Sequence, residues 1–282
     1  MLSATPTPHN SLYYPVNQNL IRNMPCISHP LIRPNSIESR EYQLAIAMKA
    51  LDANTMVILP TGLGKTAIAL LVAASRLYNE GGKVLMLAPT KPLVEQHLRF
   101  FEKYLIAKSP AGPDASPFAM FTGEAPPAER TADWERSQAI FATPQVVKND
   151  LIAGRYTLHD VTLLIVDECH RAVGNYAYVF IARRYHDTAA HSLLLAMTAS
   201  PGGSPEKVSE VCANLGIAHI ENRIESDPDV SPYVHEREIE ICPIELPAEL
   251  RGAIHAVHTL VDDRLGLLAS LGFTVPKGTG CR

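Results

Sequence analysis

The sequence predicts an α/β fold, a parallel sheet sandwiched by helices, with a helical segment appended towards the C-terminal end. Three observations carry this. An apolar run, Thr55 to Leu59, feeds a Gly-rich turn that opens a long apolar helical stretch, Ala67 to Tyr78. The same order of strand, turn and helix recurs several times, which is the pattern of a parallel sheet covered on both faces. The turns after these strands are rich in Thr and Gly, and such sheets bind ligands beyond the carboxyl ends of their strands.

In chain order, residues 1 to about 36 are rich in Pro, Asn and Ser, and six prolines from Pro6 to Pro34 prevent a long helix. An extended or disordered leader (1–36) is expected, from which Tyr13, Tyr14, Leu31 and Ile32 could still dock against the adjoining domain. With Ser36 and Ser39 as candidate N-caps, a helix is expected from about Glu38 to Leu51, because Leu44, Ala47, Met48 and Leu51 recur at helical spacing. Arg40, Tyr42 and Gln43 stand at its start. They read either as a solvated first turn or as a base-reading group, with the Gln43 amide donating and accepting on an adenine edge and Arg40 supporting the loop.

Leu59-Pro60-Thr61-Gly62-Leu63-Gly64-Lys65-Thr66 has the form of a phosphate-binding loop. Its backbone N–H groups and the following helix N-terminus would face an anion, and Gly62 and Gly64 would let the chain approach without Cβ clashes. Lys65 would reach the β- and γ-phosphates and Thr66 would offer its hydroxyl to Mg²⁺. The full pattern asks for Gly where Leu59 stands, and the plain alternative is a turn that only caps a buried helix.

Gly81-Gly82 ends that helix, and an apolar strand is expected over Val84 to Ala88. Pro89-Thr90-Lys91-Pro92 follows, then Leu93, Val94, His97, Leu98 and Phe101 at helical spacing. Next come a strand near Phe118 to Phe121, a turn at Thr122-Gly123, a helix Pro127 to Arg136, a strand Ala139 to Phe141, a turn at Thr143-Pro144 and a helix Gln145 to Ile152. Val161 to Val166, the most apolar strand, exits into Asp167-Glu168-Cys169-His170. Two carboxylates there are costly to desolvate unless a metal or cation compensates. Asp167 would hold Mg²⁺ and Glu168 would polarise an attacking water. Ser192 to Met197 exits into Thr198-Ala199-Ser200-Pro201-Gly202. Its hydroxyls could bond His170 or a carboxylate, or form an ordinary turn before a helix over Pro205 to Leu215. Beyond Glu225 lie a connector, Ser226 to Asp229, a polar alternating stretch, Val234 to Ile241, and a helix from about Ala248 to Leu271 whose broad face carries Leu250, Ile254, Val257, Leu260, Val261, Leu265 and Leu268.

With 282 residues, 46% of them hydrophobic, the chain can form one full core and part of a second: a leader (1–36), an α/β domain (37–226) and a connector with a helical start (227–282). A net charge of -4 argues against sequence-blind electrostatic coating of nucleic acid, though not against a local basic groove. The five cysteines show no C-x-x-C pair and no metal spacing, and no run approaches a membrane span, so a reduced, cytoplasmic setting without membrane contact is expected.

Taken together, Arg40 with Gln43, PTGLGKT at Pro60 to Thr66, APTKPLVEQH at Ala88 to His97, TPQVVKNDL at Thr143 to Leu151, DECH at Asp167 to His170 and TAS at Thr198 to Ser200 resemble the first half of a superfamily 2 helicase. In that superfamily the Pro-Thr-Gly form of the loop is usual, so the mismatch at Leu59 becomes evidence. With DECHRAVGNYAY, TASPG, Ser226 to Asp229 and His235-Glu236-Arg237, the chain is similar to the archaeal Hef and Fanconi anaemia complementation group M helicases over about Pro30 to Glu240. The resemblance implies a RecA-like domain that uses ATP and Mg²⁺ and acts on branched or single-stranded DNA, at the nucleoid, in repair. It implies an adenine-reading Arg40 and Gln43, and a phosphate and metal cradle of Thr61, Gly62, Gly64, Lys65 and Thr66. Asp167 and Glu168 are then the metal and catalytic acids, and His170, Thr198 and Ser200 the link from hydrolysis to movement. Thr90, Lys91, Thr122, Gly123, Thr143 and Pro144 are the contacts to one DNA strand's backbone, a sequence-blind grip compatible with an acidic chain. No second set of motifs follows Ser200, so the arginine finger of a second motor domain, and the nuclease of archaeal members, are expected to lie outside these residues and hydrolysis to be weak. The alternatives are a restriction-type motor or translocase and, from another class, a non-catalytic scaffold. A kinase accounts for neither the Ala88 to His97 run nor the TAS turn.

Overall fold

Strands β2 (Lys83–Leu87) and β5 (Val161–Val166) are buried at every position, so neither face of the sheet can be left to solvent. The computed structural model describes residues 26–200, 204–234 and 247–273. Expectations that fall on Tyr13, Tyr14, Pro201, Gly202, the stretch after Val234 with His235 to Arg237, Cys242, Cys281 and the tail from residue 274 lie outside the described residues.

The order is α1 (Glu41–Asp52), β1 (Thr55–Ile58), α2 (Lys65–Asn79), β2, α3 (Lys91–Tyr104), β3 (Phe118–Phe121), α4 (Pro127–Arg136), β4 (Ala139–Ala142), α5 (Pro144–Ile152), β5, α6 (Ala177–Thr188), β6 (Leu194–Thr198), α7 (Pro205–Leu215) and β7 (His219–Asn222). The strands pair in parallel in the order β3-β4-β2-β5-β6-β1-β7. Alternate residues feed opposite cores. Val84, Met86, Leu163 and Ile165 pack with α1, α2 and α3, through Ile46, Ile68, Val94 and Phe101. Leu85, Leu87, Leu164 and Val166 pack with α4 to α7, through Trp134, Val147, Ile181 and Leu215. This is the α/β sandwich the sequence predicts.

Three details differ from expectation. Helix α1 starts at Glu41 with Arg40 at its N-cap and no side-chain cap; Ser36 Oγ instead donates to the Arg33 carbonyl at 2.5 Å. The leader is built into the domain where it is described, with Ile27 and Ile32 in the core and Ile32 bridging Leu105. Two elements carry no clear sequence signal. Helix α6 buries Ala177, Tyr178, Ile181, Ala182 and Tyr185 but has no side-chain cap, and β7 buries one residue, Glu221, at the edge of the sheet. Lys49 Nζ reaches Glu221 at 2.8 Å, and Arg223 ties Glu221 to Asp229, so ions fasten the connector beside Val230, which is buried in the core.

The chain divides into two compact units, residues 1–234 and 235–282. The second contains α8 (Ala248–Ser270), on which Leu250, Ile254, Val257, Leu260, Val261 and Leu268 are exposed. Among the described residues no helix is long and apolar enough to cross a membrane, and no group of three His, Cys, Asp or Glu side chains could hold a metal. Cys26, Cys169 and Cys212 are free thiols.

Below the β3 and β4 turns, Arg130 forks onto Asp150 at 2.6 and 2.7 Å, Arg155 adds a contact at 2.8 Å, and Arg130 also donates to the Ala125 carbonyl. Asp150 is fully buried. Removing one partner of such a pair strands a buried charge, so Asp150→Ala is expected to cost about 3–5 kcal/mol in urea denaturation. The Arg130→Met, Asp150→Leu double variant should recover part of it, because the buried ion pair is gone while the buried Tyr156 hydroxyl, which donates to Asp150 at 3.3 Å, and Arg155 still lose their acceptor.

Candidate functional site

All the polar turns project from the same edge of the sheet, because every strand is parallel. The strand order sorts them. Thr122-Gly123 after β3, Thr143-Pro144 after β4 and Thr90-Lys91 after β2 lie on one half; the Asp167 turn after β5, the Thr198 turn after β6 and the Gly-rich loop after β1 lie on the other. The seam between the halves is the β2–β5 pair.

In the Gly-rich loop, Gly62 and Gly64 have φ of 92° and 82°, a left-handed backbone in which a Cβ is strained. Gly64 is also pressed by its neighbour: a Cβ there would come 2.3 Å from Gln43 Nε2. The Gln43 amide, buried, donates to the Leu63 carbonyl at 3.1 Å, and Tyr42 Oη donates to the same oxygen at 2.7 Å. Thus α1 holds the loop from below. Lys65 Nζ donates to the carbonyls of Leu59 at 2.7 Å and Pro60 at 3.4 Å. Burial pulls its ammonium below the ordinary value, while Asp167 and Glu168 pull it back up.

Lys65, Thr61, Gly62, Gly64, Thr66, His97, Asp167 and Glu168 line one cavity of about 390 Å³. A second cavity, about 240 Å³, shares Gly62, Gly64, Ala67 and Phe100 with it and is lined further by Glu38, Arg40, Gln43 and Tyr104. Arg40 is paired to Glu38 at 3.1 Å and lies over the Tyr233 ring, 5.2 Å from its centroid. Gln43 and Arg40 therefore stand beside the Gly-rich loop, as their position in the sequence suggests.

The acid turn is tightly framed. Asp167 N donates to the Leu87 carbonyl at 2.9 Å, its own carbonyl accepts from Tyr178 Oη at 2.8 Å, and Oδ2 meets His97 Nε2 at 2.8 Å. Glu168 sits at φ 49°, one of two non-glycine residues with a left-handed backbone among the described residues, a strain typical of functional turns. His170 Nδ1 lies 3.2 Å from Glu168 Oε2 and 3.1 Å from Thr198 Oγ1. Since Thr198 Oγ1 donates its one proton to the Ser200 carbonyl at 2.7 Å, His170 Nδ1 is the donor in this chain. Glu168, His170, Thr198 and Ser200 are thus joined across β5 and β6. Cys169 is buried behind them and its thiol is pushed far up by desolvation, so it has no nucleophilic character.

On the other half, Thr90 and Gly123 are exposed and Lys91 and Thr143 half-exposed, whereas Thr122 and Pro144 are buried and offer no side chain to solvent. Lys91 Nζ holds Glu124 at 2.5 Å. His97, Phe100 and Tyr104 are site residues that periodicity hides, because they repeat with the apolar face of α3; the cavity-facing role of His97 shows only once β5 lies beside that helix.

Comparison with known proteins gives a consistent picture. A model of the family described as DEAD/DEAH box helicase matches residues 40–208. A Methanocaldococcus jannaschii protein named as an ATP-dependent RNA helicase is 42% identical over 246 residues, covering 87% of this chain and 30% of that protein. The Fanconi anemia group M protein homolog of Mus musculus is 40% identical over 232 residues, 80% of this chain and 11% of its own length. The crystal structure of the Pyrococcus furiosus Hef helicase domain superposes with a TM-score of 0.70 at 46% identity, over 88% of this chain and 53% of that one. The chain therefore spans less than a third of these two relatives and about half of the Hef helicase domain.

Proposed function

Because the chain belongs to the DEAD/DEAH box helicase family, we propose that it is the ATP-binding first motor domain of a helicase or translocase acting on branched DNA, such as forks and Holliday junctions, in repair. Nucleotide use follows from the family. The choice of DNA rests on the likeness to relatives named as ATP-dependent DNA helicases, among them those of Neurospora crassa and Drosophila melanogaster. The observation that carries the proposal is the convergence of Gly62, Gly64, Lys65 and Thr66 with Asp167 and Glu168 on one cavity, beside a second cavity lined by Gln43 and Arg40.

The donor set fits Mg²⁺ and a triphosphate. A hard cation takes hydroxyl, carboxylate and water oxygens, which Thr66 and Asp167 supply, and an anionic chain takes the loop amides and an ammonium. When bound, Mg²⁺ would neutralise charge developing on the transferred phosphate. Lys65 would leave its loop carbonyls for the phosphates, Glu168 would orient the attacking water, and the His170, Thr198 and Ser200 chain would carry the state of that site to the neighbouring turn. Thr90, Lys91, Gly123 and Thr143 would grip DNA phosphates, with Thr122 contributing its backbone N–H and Pro144, which has none, shaping the turn that presents Thr143. The 282 residues are proposed to bind both ligands and to hydrolyse weakly.

The test is to titrate the chain with ADP and Mg²⁺, and then with forked DNA, linear single-stranded DNA and single-stranded RNA at several salt concentrations. Tighter binding to the fork than to the linear strand or RNA is expected; a preference for RNA would move the substrate class, and no nucleotide binding would leave the scaffold reading. In the same titration Lys91→Ala is expected to weaken every DNA uniformly and to reduce the log–log salt slope by about 0.7 to 0.9, one phosphate contact.

A further inference from the structure

Position 97 is a core position of α3: Val94, His97 and Phe101 are its buried residues. An aliphatic side chain would satisfy that environment, and an imidazole there is costly unless its nitrogens are bonded. One of them is not: His97 Nδ1 is buried with no hydrogen-bond partner among the described residues. The polar character of the ring is therefore committed to one contact, Nε2 to Asp167 Oδ2 at 2.8 Å, with both side chains buried. An ionised carboxylate only accepts, so Nε2–H is the donor. With Oδ2 engaged by the imidazole, Oδ1 is the oxygen that this contact leaves available to a ligand of the cavity Asp167 lines.

We propose that His97 is a positioning residue for the metal site: it donates to one oxygen of Asp167 and so orients the other towards Mg²⁺. This rests on the reading of Asp167 as the metal-binding carboxylate. Outer partners that orient a ligand in this way typically contribute 10- to 100-fold in metal affinity. The position of the contact gives it a further consequence. His97 sits on the helix that begins at Lys91, after β2, and Asp167 follows β5, so the bond crosses the seam between the two halves of the sheet edge. It ties the helix carrying the candidate DNA turn to the carboxylate of the nucleotide site.

The experiment uses the 282-residue chain with ADP as the ligand, titrated over a range of Mg²⁺ and again in EDTA, for wild type, His97→Leu and His97→Gln. Leucine fills the core without a donor; glutamine keeps an N–H that can reach the carboxylate. The expected result is an Mg²⁺ half-saturation raised about 10- to 100-fold in His97→Leu, returned to within a few-fold of wild type in His97→Gln, with ADP affinity in EDTA unchanged in both. A merely structural role would move the melting temperature and both affinities together. The inference is overturned if His97→Leu keeps the wild-type Mg²⁺ requirement, if its EDTA affinity falls as far as its Mg²⁺ affinity, or if His97→Gln is as impaired as His97→Leu. Wild-type binding without any Mg²⁺ dependence would overturn the reading of Asp167 itself, and so separates the two failures.

Discussion

Lys65→Ala is expected to weaken ADP and ATP binding by roughly 10² to 10³, enough to abolish it in an ordinary titration. Hydrogen bonds to charged groups are worth about 1.5–3 kcal/mol each, and an ammonium that reaches two phosphates makes at least two, with about 1.4 kcal/mol per tenfold. The lower end of that range is favoured by the geometry, because Lys65 must first give up the Leu59 and Pro60 carbonyls. Burial works in the same direction as that cost: it holds the ammonium below its ordinary value, and a bound polyanion would pull it back up. Glu168→Gln is the matched control. It removes a charge from the same cavity but no phosphate ligand, so nucleotide should still bind, while residual hydrolysis falls by roughly a further 10² or more as the water loses its orienting carboxylate. Calorimetry on the pair separates the two roles. Equal binding by wild type and Lys65→Ala would sink the phosphate-loop assignment.

What the sequence discloses depends on whether a residue's function is local. Gly62, Gly64, Lys65 and Thr66 work through one turn, so their spacing is enough to place them, and Asp167 and Glu168 are found because acids at the exit of the most apolar strand are improbable without a partner. The parallel sheet is legible for the same reason: strand, turn and helix alternate within windows of a few residues. What stays hidden is non-local. The bond of His97 to Asp167 joins residues 70 apart in sequence, and from periodicity His97 is one more member of an apolar face. Asp150 meets Arg130 only because α4 and α5 pack under two turns, and nothing in its own segment marks it as fully buried. Strand β7 has a single buried residue and is a strand because β1 offers it an edge. Burial at Thr122 and Pro144 is equally non-local. Their motif places them at the edge of the sheet, where they are, and only the packed fold shows that both are buried there.

Turnover by the 282 residues is expected to lie roughly 10³ to 10⁵ below that of a two-domain helicase of the same family measured alongside, with or without forked DNA. The reason is electrostatic. The transferred phosphate spreads charge over its outer oxygens, and catalysis in this chemistry is mostly positioning and neutralisation of that charge. Among the described residues, the cavity that would hold the phosphates is lined by one cation, Lys65, and by no arginine. The arginine of the neighbouring cavity, Arg40, is already committed to Glu38 and to the face of Tyr233. A guanidinium at the γ-phosphate must therefore come from outside the residues that line this site, and its contribution to the rate is typically of that same order, roughly 10³ to 10⁵. Binding needs no such group, because the loop, Lys65 and the acid turn are already assembled. Single-turnover assays under saturating Mg²⁺ and ATP measure the chemical step directly and keep weak binding from imitating slow chemistry. A rate within tenfold of the two-domain enzyme would mean that the charge is neutralised by a group of this chain, and Arg40, released from both Glu38 and the Tyr233 ring, would be the first candidate, since it lines the cavity that shares Gly62 and Gly64.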